Sequence, residues 1–349
     1  VKTDAIGDYI LFRNFIEYIY KSEKYKDFKI VLCGNIIWKN LAENLDKEYI
    51  DNFIWVDTLK FRKNIFYRLK LICQINKIDS DIAIQPNFSR DFYVGDSIIK
   101  CCKGNEKIGV NGDFCNISIW QKKMSDFYYT KIIDIKNNNL FEFDINKLIF
   151  EKLLNTKLDI KKPYVNKYNF NKLELTKPYA VLFPGAGSKK RKWSTKKFAA
   201  IGEYLYNAYG LHIFIAGSNT DTDIAREIKM YMSHDSMTDM TGNVSLCELF
   251  ELIEGSELLI SNETSAIHIA ATVNTLTVCI SNGNHYSRFS PYPEGISNKV
   301  YTIYPPEITE ELNAGQEYRV IAKYRKGSSL DINLIEVEAV KLLISKIFG

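Results

Sequence analysis

The chain has 349 residues, too many for one typical core, so two domains are expected. A hydrophobic content of 46% and a charged content of 25% are those of a folded globular protein, not of a disordered or fibrous one. The formal charge of +4, from 46 basic and 42 acidic residues, is close to balance and argues against a dedicated nucleic-acid binder. No apolar run reaches the roughly 18 residues of a membrane span, and no signal peptide is evident. The seven cysteines are scattered without CxxC spacing, which fits reduced, buried thiols of a cytoplasmic protein. The chain opens on Val1 without a methionine, and the first strand is expected to lack its beginning.

In chain order, Val1 to Leu11 reads as a strand end, a turn at Gly7 and a helix start, with Ile10, Leu11, Phe15, Ile16 and Ile19 at helical spacing. Strand Phe28–Leu32, a helix near Ile37–Leu45, strand Phe53–Val56, helix Asn64–Ile75 and strand Asp81–Gln85 follow. From Val94 to Phe150 the pattern blurs around a strand at Glu106–Val110 and a helix at Phe141–Leu154. Lys161–Lys177 is polar and reads as a linker. A second series of strands then alternates with helices: Tyr179–Phe183, Leu211–Ala216, Met237–Met240, Glu257–Ser261 and Leu276–Ser281, with a late strand at Val300–Tyr304. Asp331–Ile347 reads as a terminal amphipathic helix. Apolar strands alternating with helices imply an α/β protein with two doubly wound parallel sheets, whose ligands sit beyond the carboxyl ends of the strands.

The chemistry-bearing stretch is Phe183-Pro-Gly-Ala-Gly-Ser-Lys-Lys-Arg-Lys-Trp193. A strand ends in a turn at Gly185 and Gly187. Ser188 and four cations through Lys192 follow before a new helix. Glycines allow close backbone approach, and a helix N-terminus with lysines beside it suits a phosphate or diphosphate. The same residues also fit an ordinary loop beside a solvated basic run. A second such turn is Asn262-Glu263-Thr264-Ser265, where hydroxyls and free N–H groups can face an anion or simply cap the helix. His268 lies one turn further on the same face, as ligand or as packed residue. Asn219 and Val244, in the turns after two neighbouring strands, can meet a ribose and a base. Asp4 and Asp8 flank Gly7 at the first strand-to-helix turn, where a carboxylate serves as general base or as a helix-start charge. Asp221-Thr222-Asp223 is a DxD string, but it opens a helix, where acidic residues are expected anyway. GxGxxG, GxxxxGK[ST], GxSxG and zinc-ligand spacings are absent from the sequence.

Together these motifs resemble glycosyltransferase family 9, the ADP-heptose:lipopolysaccharide heptosyltransferase-like enzymes. Lys2-Thr-Asp-Ala-Ile-Gly-Asp8 resembles the family's opening, Pro184-Gly-Ala with Lys192 and Trp193 its donor-phosphate motif, and Asn262 to Ala271 its D-[ST]-G-x-x-H-x-A-A motif. The resemblance implies a GT-B architecture, two Rossmann-like domains facing a central cleft. Acceptor would bind residues 1–165 and nucleotide sugar residues 166–330, with the helix of 331–349 packing back toward the N-terminal domain. It implies an inverting transfer with no metal and no cofactor, the nucleotide-diphosphate sugar being a substrate. Asp8 would be the base and Lys192 the cation on the leaving diphosphate. Gly185, Gly187, Ser188, Asn219, Val244, Glu263, Thr264, Ser265 and His268 would bind the donor, and Asp4 and Arg90 the acceptor. That acceptor would be a lipid-linked glycan, with peripheral contact at the inner face of the bacterial inner membrane. The basic aromatic helix Lys60–Lys70 can touch anionic lipid there or form a solvated face. Two departures stand out: Glu263 replaces the usual Asp, and Ser265 the usual Gly. A catalytically inactive nucleotide-sugar or glycan-binding protein on the same scaffold is the rival reading. A GT-B nucleotide-sugar 2-epimerase would need more carboxylates around the sugar than Asp8 and Glu263 with His268 supply.

Overall fold

The computed structural model describes residues 1–136, 139–166, 173, 175, 178–232 and 237–348. Its internal contacts divide the chain into two compact units, one ending at Ile160 and the next beginning at Lys161. The polar stretch 161–177 starts at that division. Residues 167–172, 174, 176 and 177 of it lie outside the described set.

The first unit carries five short strands: β1 (Val31–Asn35), β2 (Asn52–Val56), β3 (Ile82–Ile84), β4 (Glu106–Val110) and β5 (Lys131–Ile133). Its helices are α1 (Ile6–Phe12), α2 (Asn14–Tyr20), α3 (Lys39–Leu45), α4 (Thr58–Lys63), α5 (Ile65–Asn76), α6 (Ser97–Cys101), α7 (Ile119–Asp126) and α8 (Glu142–Leu154). All strand pairs are parallel, β1 with β2 and β3 with β4 and then β5. Residues 1 and 2 run beside β1 and reach β3: the Lys2 N–H donates to the Cys33 carbonyl (2.9 Å) and the Val1 nitrogen to the Ile84 carbonyl (2.7 Å).

The first strand lies three residues later than the apolar run Phe28–Leu32 suggests. Phe28 is 41% exposed, whereas Gly34 lets the Trp38 indole lie directly on the strand, where a Cβ would come within 2.1 Å of the ring. The stretch without clear pattern resolves into α6, β4, α7 and β5. Helix starts follow their caps: Asp57 accepts from the Lys60 N–H (2.9 Å), Asn64 from the Tyr67 N–H (3.0 Å), and Ser118 forms a capping box with Gln121. Phe143 and Phe150 of α8 pack on Phe12 and Phe15, with the Phe15 and Phe150 rings 5.1 Å apart.

The second unit is a six-stranded parallel sheet of β6 (Tyr179–Phe183), β7 (His212–Ile215), β8 (Met237–Asp239), β9 (Leu258–Asn262), β10 (Thr277–Ile280) and β11 (Val300–Ile303). Their order is β11-β10-β9-β6-β7-β8. Ala180 pairs with Leu258 on one side and Ile213 on the other, so the order reverses at β6. Helices α9 (Thr195–Tyr209), α10 (Thr222–Tyr231), α11 (Leu246–Glu254) and α12 (Ser265–Val273) connect the strands, and α13 (Pro306–Asn313), α14 (Glu317–Tyr324) and α15 (Val337–Phe348) follow. Leu182, Ile213, Ile260 and Val278 from the sheet meet Phe198, Ile201 and Leu205 of α9, all buried. Helix α9 ends at Gly210, whose φ of 65° is the left-handed conformation glycine adopts without cost. The terminal helix buries Val340 and Ile344 in this same core and packs on α9, with the Phe348 and Tyr209 rings 5.0 Å apart. Among the described residues no helix is long and apolar enough to cross a membrane.

Candidate donor and acceptor sites

A parallel sheet directs all its strand ends to one edge, and in the second unit the loops after β6, β7, β8 and β9 gather there. Two side chains tie them. Asn262, at the end of β9, donates to the Pro184 carbonyl (2.7 Å) and accepts from the Trp193 N–H (3.2 Å). It therefore holds both ends of the glycine and lysine loop against the start of α12. Trp193 is a core residue, its indole N–H on the Ile335 carbonyl (2.9 Å).

The second tie is Asp221. Its carboxylate accepts from the Ser218 N–H (3.0 Å) and hydroxyl (2.7 Å), capping the turn after β7. It also pairs with the Lys192 ammonium at 3.3 Å. Gly185 is there for this contact: a Cβ on it would sit 2.6 Å from Asp221 Oδ2, and one on Gly217 3.1 Å from the Asp221 Cβ. The sequence weighed Asp221 only within a DxD string. Asp223 instead points away, 90% exposed and paired with Arg226 (2.8 Å). Among the described residues no three His, Cys, Asp or Glu side chains form a metal-binding group.

Around this hub, Gly187, Ser188 and Lys189 to Lys190 are exposed, and Arg191 and Lys192 are half-buried. The β7 and β8 turns touch: the Gly242 N–H donates to the Gly217 carbonyl (3.0 Å), and the Asn219 amide lies on Gly242, whose φ is 72°. Val244 sits part-buried in that second turn. Thr264 is the cap of α12, its hydroxyl accepting from the Ala266 N–H (3.3 Å), and Ser265 is its first residue.

Two predicted donor residues lie deeper. Glu263 is 5% exposed and accepts from the Ser281 hydroxyl at the end of β10. Burial pushes its carboxyl up to about 7, against the opposing pull of Ser281 and Arg191. His268 is also buried, its Nδ1 2.6 Å from the Tyr292 hydroxyl and its ring beside Phe289. Burial lowers it to about 3, so the imidazole is neutral at physiological pH.

In the first unit, Asp4 and Asp8 lie at the start of α1, part-exposed, Asp8 in its first turn. Asn35 and Trp38 anchor the segment by donating to the Asp4 carbonyl at 3.2 and 3.1 Å, and Asn87 donates to the Asp4 carboxylate (2.9 Å). A residue the sequence did not single out completes this cluster. Lys2 is 1% exposed and pairs with Asp4 at 2.8 Å. Burial pulls its ammonium down, but the charges of Asp4, Asp8 and Glu142 outweigh it and hold the group above the ordinary lysine value. Arg90, expected to meet an acidic acceptor, is 1% exposed. Its guanidinium pairs with Asp126 (2.5 Å) and lies over the Tyr129 ring at 4.8 Å.

The model for glycosyltransferase family 9 (heptosyltransferase) matches residues 98–309. Lipopolysaccharide heptosyltransferase 3 of Escherichia coli is 22% identical over 237 residues, which span 66% of this chain and 66% of that protein. Among solved structures, the glycosyl transferase family 9 protein of Veillonella parvula has a TM-score of 0.73 at 16% identity, covering 99% of this chain and 95% of that one. The Escherichia coli heptosyltransferase WaaC, determined with ADP-2-deoxy-2-fluoro heptose, has a TM-score of 0.70 at 12% identity, covering 99% of both chains. At such identities the structural likeness speaks for the fold, which is GT-B.

Proposed function

The chain belongs to glycosyltransferase family 9, and from that premise we propose that it moves a heptose-type sugar from a nucleotide diphosphate to a lipopolysaccharide-core or other surface-glycan acceptor. One observation carries this reading: Asn262 fixes the Pro184–Trp193 loop against the start of α12. Four cations and a helix N-terminus then share one strand edge, a setting suited to a diphosphate.

In this reaction the acceptor hydroxyl oxygen attacks the anomeric carbon from the side opposite the diphosphate. The carbon–oxygen bond to the diphosphate breaks, the configuration inverts, and the hydroxyl proton passes to the Asp8 carboxylate. Lys192 and the N–H groups at Gly187 and Ser265 offset the charge that grows on the leaving diphosphate. Asn219 and Val244 meet the nucleoside. Asp4, held by Asn87 and Lys2, orients the acceptor beside Asp8. No metal is required, because the cationic loop supplies the positive charge. The acceptor is lipid-linked, and the protein works peripherally at a membrane face.

The first test is a thermal-shift screen with ADP, UDP, GDP and CDP, then ADP-heptose and common hexose conjugates. One nucleoside diphosphate should raise the melting temperature, and one sugar conjugate should raise it further; no shift with any of them would overturn the donor site. Asp8→Ala should abolish transfer while keeping the donor's thermal shift. Normal turnover by that mutant would remove Asp8 from the role of base.

A further inference from the structure

Helix α7 is amphipathic the wrong way round for a surface helix. Its inward face is polar: Ser125 is fully buried, and Lys122 is 8% exposed and pairs with Asp126 at 3.1 Å. Its outward face is apolar, with Ile119 63%, Trp120 57% and Met124 46% exposed, and Phe127, its C-cap, 90% exposed. A helix in water ordinarily turns these faces the other way. The polar inward face is explained by the Arg90 and Asp126 network it closes; the outward face has no such account within the fold.

The apolar surface does not stop at α7. Trp120 touches the Phe92 ring (centroids 5.7 Å), and Phe92 touches Tyr93, itself 49% exposed. The turn of Phe92–Asp96 is joined to α4 by the Arg62 and Asp91 ion pair and to α5 by the Arg68 to Ser97 hydrogen bond (3.1 Å). There the outward side chains are again apolar, with Ile65 59%, Phe66 80% and Leu69 51% exposed. Scattered exposed apolar residues need no explanation, but a connected patch of this kind marks an interaction surface.

Charge identifies the partner. Lys63 at the end of α4, Lys70 on α5 and Lys123 on α7 are exposed. The carboxylates there are neutralised locally: Asp57 by Lys60, Asp91 by Arg62, and Asp126 by Arg90 and Lys122. Aromatic and aliphatic side chains interspersed with lysines match an anionic bilayer surface, whose acyl boundary takes the rings and whose headgroups take the ammonium groups. We propose that the face formed by α7, the turn of Phe92–Asp96 and the start of α5 docks this protein onto an anionic lipid bilayer. The inference deepens the reading of a lipid-linked acceptor, since it gives the first unit a fixed side toward the membrane.

The test is flotation of the full chain with phosphatidylcholine vesicles, with and without phosphatidylglycerol. The chain should float with the anionic vesicles and release with salt, and Trp120 fluorescence should shift to the blue. Trp120→Ser with Phe127→Ser should weaken flotation by at least about tenfold, because each exposed ring loses its burial in the acyl boundary. Lys123→Glu should weaken it by about fivefold on anionic vesicles and have little effect on neutral ones. These positions are exposed, so circular dichroism and the melting temperature should stay unchanged. A wild-type chain that ignores anionic vesicles would overturn the proposal. So would a wild-type dimer that the double substitution splits while vesicle binding is absent, since the face would then belong to a second copy. Nucleotide thermal shifts are read in parallel on the same variants. Loss of flotation with the shift intact concerns this surface alone, whereas a missing shift with flotation intact concerns the donor site.

Discussion

Asp221→Asn separates what the carboxylate does for the fold from what it does for the ligand. One Asp221 oxygen caps the turn after β7 by accepting from Ser218, and the other faces Lys192 at 3.3 Å. Asparagine keeps the capping oxygen and turns an amide N–H toward the ammonium. Lys192 is 29% exposed, so the lost pair is screened by solvent and contributes about 1 kcal/mol. A cap of this kind contributes about another 1 kcal/mol. Asp221→Asn should therefore lower stability by about 1 kcal/mol, and Asp221→Ala, which loses both, by about 2 kcal/mol, read from urea unfolding midpoints. Nucleotide affinity should move in the opposite sense. A carboxylate beside the diphosphate repels it and competes for Lys192, so its removal should tighten nucleoside-diphosphate binding by about fivefold in isothermal titration, equivalent to about 1 kcal/mol. If Asp221→Asn instead binds tenfold more weakly, Lys192 must be held in place by Asp221, and the idea that the two compete fails.

Gly185→Ala tests the same hub by steric means. Its Cβ would meet Asp221 Oδ2 at 2.6 Å, so the carboxylate must move; about 2 kcal/mol of stability and most of the nucleotide thermal shift should be lost. A mutant with wild-type melting and binding would show that the turn accommodates a methyl group. Glu263 sets a pH dependence. Its carboxyl is raised from 4.5 to about 7 by burial, so the folded state holds the proton more tightly than the unfolded chain. Its contribution is present below pH 4.5 and is lost as the pH rises through about 7, a change of about 3 kcal/mol. Glu263→Gln should flatten the stability profile between those values; an unaltered slope would place its origin elsewhere. Lys2→Met leaves Asp4, Asp8 and Glu142 without their buried cation. It should cost about 3 kcal/mol and move the acidic limb of the transfer pH profile upward, and an unshifted limb would deny Lys2 any influence on the base.

The two series of strands were legible because a parallel strand buried on both faces reads as an apolar run, as in Tyr179–Phe183 and in Leu258, Leu259 and Ile260 of β9. Where only one or two side chains are buried, no such signal exists. Helices α13 and α14 each bury a single residue, Ile308 and Val320, and the paired prolines that open α13, Pro305 at its cap and Pro306 at its first position, look like a loop. The turns proposed to hold the donor stand out in the sequence by their glycines, hydroxyls and cations. Their ties do not. Asp221 meets Gly185 and Lys192 across many residues, and only the folded sheet brings β6 and β7 together. Arg90 shows the converse. Its residue type suggests a surface contact, but Asp126 and Tyr129, far along the chain, draw it inside.

The departure at Glu263 acquires a physical meaning from its surroundings. A longer carboxylate at the end of β9 could have reached further toward a ligand, yet here it turns to the Ser281 hydroxyl at the end of β10. In that position it is buried, near neutrality in charge, and opposed by Arg191. Deprotonation above about pH 7 adds a negative charge that attracts Arg191 of the cationic loop, in competition with any anion that loop holds. Donor affinity in wild type should then fall as pH rises through about 7, and the fall should vanish in Glu263→Gln. Isothermal titration at pH 6 and pH 8, with one nucleoside diphosphate and both proteins, decides it. Equal affinities in wild type at the two values would mean that Glu263 is a packing residue and that the loop's cations act without it.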